Sequence, residues 1–311
     1  MDMSTRYLGL QLPHPFIPGA SPLADDLDMV VRLEDAGAAA IVMPSLFEED
    51  IVSYDVHPDR YLEQLRNIKR RVRVPVIASL NGTTADAWLR YAGMIERAGA
   101  DALELNFYHV ATDLGETGDS VERRVVDIVA VLSESIRIPL AVKLSPFYSS
   151  LPNLAAHLDR LGAAGLVLFN RFYQPDIDPE RREGALRLDL SDASELPLRL
   201  RFIAILSGRV NASLALTGGV HEPIDAVKAV MAGADCVQIV SALLKHGPRH
   251  LTRIRDEFER WGDDHRYASV GEMRGCMSLA SCPDRASFER GNYIKALQVR
   301  PSPSSHRSGG A

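Results

Sequence analysis

The chain has 311 residues, a formal net charge of −6, 46% hydrophobic and 24% charged residues, which is ordinary for a globular protein. The mild acidity argues against nucleic acid as a partner, because nucleic-acid binders carry a basic footprint. No run approaches the roughly 20 apolar residues of a membrane span, and MDMSTRYLGLQ lacks the basic start and apolar run of a signal peptide, so a cytoplasmic protein is expected.

Short apolar runs alternate with longer amphipathic ones. PFIPGAS (15–21) precedes a helical pattern over Asp26–Ala36, AAIVMPS (39–45) precedes Arg60–Arg70, and PVIASL (75–80) precedes Ala85–Ala98. ADALELN (100–106) leads to Ser120–Ile136, PLAVKLS (139–145) to Leu151–Leu161, and GLVLFN (165–170) to Ser191–Leu206. ASLALTGG (212–219) is followed by Pro223–Ala232, and ADCVQIV (234–240) by Ala242–Trp261. Most of the short runs are apolar on both faces and rich in Val, Ile, Leu and Ala, as parallel strands buried on both sides are. Several helices end in Ala-Gly just before the next strand, as in RAGADAL and MAGADCV, which suits a left-handed cap.

Eight strands alternating with eight helices predict a single (β/α)8 TIM barrel. The rival, an open doubly wound sheet, favours a G-x-G-x-x-G turn after its first strand, and none is present. The segment YASVGEMRGCMSLASCPDRASFERGNYIKAL forms a short C-terminal extension, so the barrel domain is expected over 1–298. Residues 299–311, rich in Pro, Ser and Gly, read as a disordered tail. Cys236, Cys276 and Cys282 make no disulfide framework and no metal motif; Cys276 and Cys282 could pair, but reduced bystanders are expected.

In such barrels the chemistry lies at the C-terminal ends of the strands. Those ends carry Ala20 and Ser21, Met43 to Ser45, Ser79 with Asn81, Asn106, Lys143, Asn170, Gly218 with Gly219, and Val240 with Ser241. The last two are the most informative. TGGV offers backbone N–H groups that can approach an oxyanion, and Ser241 opens a helix whose N-terminus adds partial positive charge. This pattern points to phosphate; a plain Gly-Gly turn with an N-capping Ser is the alternative. Lys143 ends an apolar strand, where an ammonium group costs desolvation unless an anion meets it. It suits a Schiff base, a phosphate or an electron-rich ring. Asn106 and Asn170 supply donors and acceptors that can read a heterocycle's edge.

These residues carry a family resemblance. STRYLGLQLPHPFIPGAS, LELNFYHV, AVKLSP and LTGGVHEPIDAVKAVMAGADCVQIVSALLKHGP together resemble the dihydroorotate dehydrogenase family, FMN-dependent barrels of pyrimidine synthesis, over roughly residues 4–260. The short N-terminus resembles the soluble class 1 type. The resemblance implies FMN as cofactor, with Ala20 and Ser21 against the flavin ring and Lys143 stabilising negative charge near its N1 and O2. It implies Asn106 and Asn170 at flavin and substrate, Ser79 as a further flavin contact, and Gly218, Gly219, Val240 and Ser241 around the phosphate. No metal is implied.

The departures are equally specific. The family's base is a Cys or Ser; register from Asn106 puts His109 there, with Tyr108 as the neighbouring candidate. The Asn that follows in the family is Ala111, and its lysine after the second strand is Met43. FEEDIVSYDVHP stands where a substrate-reading N-x-x-G-x-x-N loop is expected; Glu48 and Glu49 would oppose orotate's carboxylate, and Arg171 would offset them. The expected activity is oxidation of dihydroorotate or a related dihydro-heterocycle by hydride transfer to flavin. Lys143, His109 and Asn106 are the catalytic candidates. The alternatives are a flavin-free phosphate-binding lyase or isomerase, and a flavoprotein subunit without independent turnover. Besides a small-molecule substrate, an electron-accepting protein and a homodimer are the partners left open.

Overall fold

The computed structural model describes residues 1–48, 58–82, 84–171, 176–185 and 189–283. A hairpin of β1 (Thr5–Tyr7) and β2 (Leu10–Leu12) comes first. Then follow β3 (Phe16–Pro18), α1 (Leu27–Asp35), β4 (Ile41–Phe47), α2 (Pro58–Arg71), β5 (Val76–Asn81), α3 (Ala85–Ala98), β6 (Ala102–Asn106) and α4 (Gly118–Ser135). β7 (Leu140–Leu144), α5 (Leu151–Arg160) and β8 (Gly165–Leu168) lead to a second hairpin of β9 (Asp176–Asp178) and β10 (Glu183–Ala185). α6 (Leu196–Leu206), β11 (Ser213–Thr217), α7 (Pro223–Ala232), β12 (Cys236–Ile239), α8 (Ser241–His246), α9 (Arg249–Asp264) and α10 (Val270–Met273) complete the described chain.

Eight strands pair in parallel in the order β3-β12-β11-β8-β7-β6-β5-β4. The Ala39 N–H donates to the Phe16 carbonyl at 3.1 Å, so the first and last strands also meet. The expected (β/α)8 barrel is the fold.

Strand side chains alternate between two faces, and the two faces here meet different cores. Outward residues such as Leu103, Leu105, Val142 and Leu144 pack against the helices in the large core. Inward residues form a second cluster: Ile17, Val42, Ile77, Ala102, Ala141, Val167, Ala215 and Cys236, packed with Tyr7, Leu8 and Leu12 of the hairpin. The small side chains of Ala102, Ala141 and Ala215 leave room for the hairpin residues. A methyl group on Gly165 would lie 2.4 Å from Leu8 Cδ2.

Several expected boundaries shift. The helix expected over Ala242–Trp261 is two helices, α8 and α9, because Pro248 has no N–H to continue the ladder. The two hairpins were not expected; with three-residue strands they have too little alternation to register as a pattern. The Ala-Gly cap holds at Gly99, whose φ is +96°. The C-terminal extension packs on α6 and α7: the Gly275, Met277 and Leu279 N–H groups donate to the Val230, Met231 and Ala204 carbonyls. None of the three cysteines forms a disulfide. The tail 299–311 and its boundary lie outside the described residues. Among those described, no helix is long and apolar enough to cross a membrane.

Candidate active site at the barrel mouth

The strand alternation that buries Ala102 inside the barrel also turns Glu104 and Asn106 inward, each one pleat higher. Glu104 is fully buried. Lys143 of the adjacent β7, also buried, donates to Glu104 Oε1 at 3.2 Å. Gln238 of β12 donates to Glu104 Oε2 at 2.7 Å. The anion that the sequence demanded for Lys143 is therefore a carboxylate of the fold itself. An ammonium group has three N–H donors, so Lys143 can serve Glu104 and a ligand together.

A second hydrogen-bonded row lies beside the first. A register shift in β4 between Val42 and Ser45 brings the Ser45 hydroxyl within 2.8 Å of the Ser79 hydroxyl. Asn106 Nδ2 donates to Ser45 at 3.0 Å, and Asn170 Nδ2 donates to Asn106 Oδ1 at 2.5 Å. Tyr61 holds Ser79 from behind through its backbone N–H and carbonyl, at 3.0 and 3.1 Å. Burial raises the Tyr61 phenol above its ordinary value, which keeps it a neutral donor. Ser79, Asn106, Lys143 and Asn170, scattered through the sequence, thus share one polar floor.

A small cup forms at the ends of β11 and β12. Gly218 and Gly219 have φ of +92° and +80°, backbone that favours glycine. A methyl on Gly218 would lie 2.7 Å from Arg199 Nε, and one on Gly219 would lie 2.7 Å from the Leu196 nitrogen. Arg199 of α6 is buried behind this turn; its Nε donates to the Thr217 carbonyl at 2.7 Å and its Nη2 to Glu195 at 2.9 Å. Ser241 does open α8, but it is not that helix's cap: the cap position is Val240. The Ser241 hydroxyl instead meets the Ser191 hydroxyl at 2.8 Å and accepts from the Ser191 N–H at 3.1 Å. The Gly219 N–H points to the same Ser191 hydroxyl at 3.4 Å. His221 Nε2 donates to the Ser191 carbonyl at 2.7 Å, holding this roof in place. Because α8 has only six residues, glycine amides and the serine pair define the cup more than any helix dipole.

Ser21 begins a short 3-10 turn after β3; its hydroxyl is buried and has no hydrogen-bond partner among the described residues. Ala20 beside it is half-buried.

His109 stands apart from the floor. It lies in the segment after β6, half exposed, with Nε2 at 2.9 Å from Glu116 Oε2. Tyr108 and Ala111 are exposed on the same segment. Met43, where the family has a lysine, is fully buried in the outer core. Arg171 does not offset Glu48: its Nε lies 3.3 Å from Glu195, while Glu48 binds the Thr84 N–H and hydroxyl at 3.0 and 2.9 Å. Glu49 and most of the loop that contains it fall outside the described residues. Among those described, no group of His, Cys, Asp and Glu could hold a metal.

Glu104, Gln238, Ser191, Arg199 and His221 were missed in the sequence. Glu104 and Gln238 had a signal: each is a polar residue at an inward position of an apolar strand. Ser191 had none, since it reaches the cup across 50 residues of chain.

A family model described as dihydroorotate dehydrogenase matches residues 57–261. The catalytic subunit of dihydroorotate dehydrogenase B (NAD(+)) of Thermoplasma volcanium is 28% identical over 301 residues, covering 88% of this chain and 98% of that protein. A putative dihydroorotate dehydrogenase A (fumarate) of Aeropyrum pernix is 31% identical over 60% of this chain and 62% of its own length. The NAD-dependent dihydropyrimidine dehydrogenase subunit PreA of Escherichia coli is 22% identical over 88% of this chain and 76% of its own.

Proposed function

The chain belongs to the dihydroorotate dehydrogenase family, and from that premise we propose that it is an FMN-dependent oxidoreductase acting on the CH–CH bond of a dihydropyrimidine or related dihydro-heterocycle. Dihydroorotate is the first candidate substrate. The observation that carries the reading is the pairing of two features at one barrel mouth: a polar floor built on Lys143, Asn106 and Asn170, and a cup at Gly218 and Gly219.

The residues present fit a phosphorylated planar cofactor. The cup has backbone N–H groups and two serine hydroxyls for a phosphate. The Ser21 hydroxyl, buried and without a partner among the described residues, would gain one from such a ligand. Gly218, Gly219, Val240 and Ser241, joined by Ser191, would hold the phosphate. Ala20 and Ser21 would lie against the ring, with Lys143, Asn106 and Asn170 at its pyrimidine edge and Ser79 supporting Asn106 through Ser45. FMN, when bound, supplies a two-electron acceptor for substrate hydride.

The chain's own residues do the rest. Lys143 places positive charge where negative charge grows on reduction. Glu104 and Gln238 fix the position of that ammonium group. His109 acts as base, taking the proton from the carbon next to the one that loses hydride. The names of the relatives, a catalytic subunit and an enzyme subunit, support a protein partner as electron acceptor.

The test is direct. Purified protein is expected to be yellow and to release FMN on denaturation. Anaerobic dihydroorotate or 5,6-dihydrouracil is then expected to bleach it, and the one that does identifies the substrate. Colourless protein that ignores added FMN would overturn the reading and leave a flavin-free lyase or isomerase in its place.

A further inference from the structure

In the segment after β6 and the start of α4, three ionisable side chains converge. Glu116 has one carboxylate oxygen 2.9 Å from His109 Nε2 and the other accepting from Arg124 Nη2 at 2.6 Å. The Glu116 side chain is 12% exposed, against 43% for His109 and 45% for Arg124. All three line one cavity with Phe107, Val121 and Phe147.

The Glu116 main chain is anchored as well as its carboxylate. Glu116 directly precedes Thr117, the cap of α4, whose hydroxyl accepts from the Ser120 N–H at 3.2 Å. The turn before it closes through the Glu116 N–H to the Asp113 carbonyl at 3.1 Å and the Gly115 N–H to the Asp113 carboxylate at 2.8 Å. Arg124 stands on α4 itself. His109, by contrast, lies in a segment without regular structure. Glu116 is thus the fixed member of the pair and His109 the one being placed.

An imidazole can act as base only from the nitrogen that lacks a proton, and its hydrogen-bond partner decides which nitrogen that is. A carboxylate beside Nε2 keeps the proton on Nε2 and leaves the Nδ1 lone pair open. The bonds from His109 and Arg124 hold the Glu116 carboxyl below its ordinary value, so it stays an acceptor.

We propose that Glu116 is the positioning residue for His109, locking it as the Nε2–H tautomer with Nδ1 presented as base, and that Arg124 locks Glu116 in turn. The inference rests on the reading of this chain as a flavin dehydrogenase with His109 as its base. In that reaction Nδ1 bonds the proton leaving one substrate carbon, and the C–H pair becomes the ring C=C. The hydride of the neighbouring carbon departs with its own pair to oxidised flavin. The imidazolium that results faces the Glu116 carboxylate.

The experiment uses the holoenzyme labelled with 15N-histidine, as wild type and as Glu116→Gln. The His109 ring signals are identified by their loss in His109→Asn. Wild type is expected to show the Nε2–H tautomer at alkaline pH. Glu116→Gln, whose amide can also donate to Nε2, is expected to shift His109 toward Nδ1–H while keeping its FMN. Flavin reduction by dihydroorotate or 5,6-dihydrouracil is expected to slow at least about tenfold in Glu116→Gln, with KM for the probe unchanged and most of the rate recovered in Glu116→Asp. A wild-type His109 ring that rests as Nδ1–H overturns the lock, and so does unchanged reduction of Glu116→Gln by a probe that reduces wild type. The ring-nitrogen measurement needs no substrate, so it decides the lock by itself if neither probe reduces the flavin. Wild-type protein without flavin overturns the premise instead, and absorbance separates that failure from failure of the lock.

Discussion

Lys143 and Glu104 form a buried ion pair on adjacent strands inside the barrel, Nζ to Oε1 at 3.2 Å, with Gln238 on the second carboxylate oxygen. The pair explains how a lysine can end an apolar strand. It also means that the residue proposed to face the cofactor is part of the fold's electrostatics.

Replacing Lys143 by Met leaves Glu104 buried without its cation. Breaking a buried pair at one partner typically costs about 3–5 kcal/mol, so Lys143→Met should lower the urea midpoint markedly. Adding Glu104→Gln removes the stranded charge and should restore most of the loss. Both variants should hold FMN more weakly and reduce it more slowly. Equal midpoints for the single and double variants would show that the pair carries no such linkage.

The cup makes a steric prediction. A methyl on Gly219 would meet the Leu196 nitrogen at 2.7 Å, in backbone with φ of +80°. Backbone is less able to give way than the end of a side chain, so the turn must move. Gly219→Ala is expected to weaken FMN at least about tenfold, roughly 1.4 kcal/mol, read by titrating apoprotein and following flavin fluorescence. An unchanged Kd would place the phosphate elsewhere.

His14 gives a pH dependence that is independent of function. Burial pulls its pKa down from 6.5 to about 4, with Arg255 adding to the effect. Its Nδ1 accepts from the Phe16 N–H at 3.2 Å at the start of the first barrel strand. The folded protein therefore favours neutral His14, and this share of its stability is present above pH 6.5 and lost as pH falls toward 4. The loss by pH 4 is about 3 kcal/mol, from 1.36 kcal/mol per pKa unit. Urea midpoints at several pH values check it; His14→Gln should flatten the curve between pH 6.5 and 4. A wild-type curve no steeper than the variant's in that window would refute the assignment.

Much of the barrel was readable from local pattern. Runs such as AAIVMPS and PLAVKLS are apolar on both faces through most of their length because both faces are buried, one by helices and one by the barrel interior. The same pattern located the ring of strand ends, since each run stops where the chain leaves the sheet. Lys143 and the two asparagines were visible as polar residues at those stops. Arg171 was misassigned for a related reason: its place beside Asn170 was readable, but its partner, Glu195, approaches from another element.

By itself, then, the sequence determined the alternation of elements, the family and, to within a few residues, where the strands end, because these depend on neighbours close along the chain. Tertiary structure decided the partners: Glu104 for Lys143, Ser45 between Ser79 and Asn106, Ser191 over the cup and Glu116 for His109. Most of those pairings join separate elements, and even the His109–Glu116 contact depends on how its loop folds back. A hydrogen bond needs its atoms within about 3 Å, and only the closed barrel and its loops bring them that near.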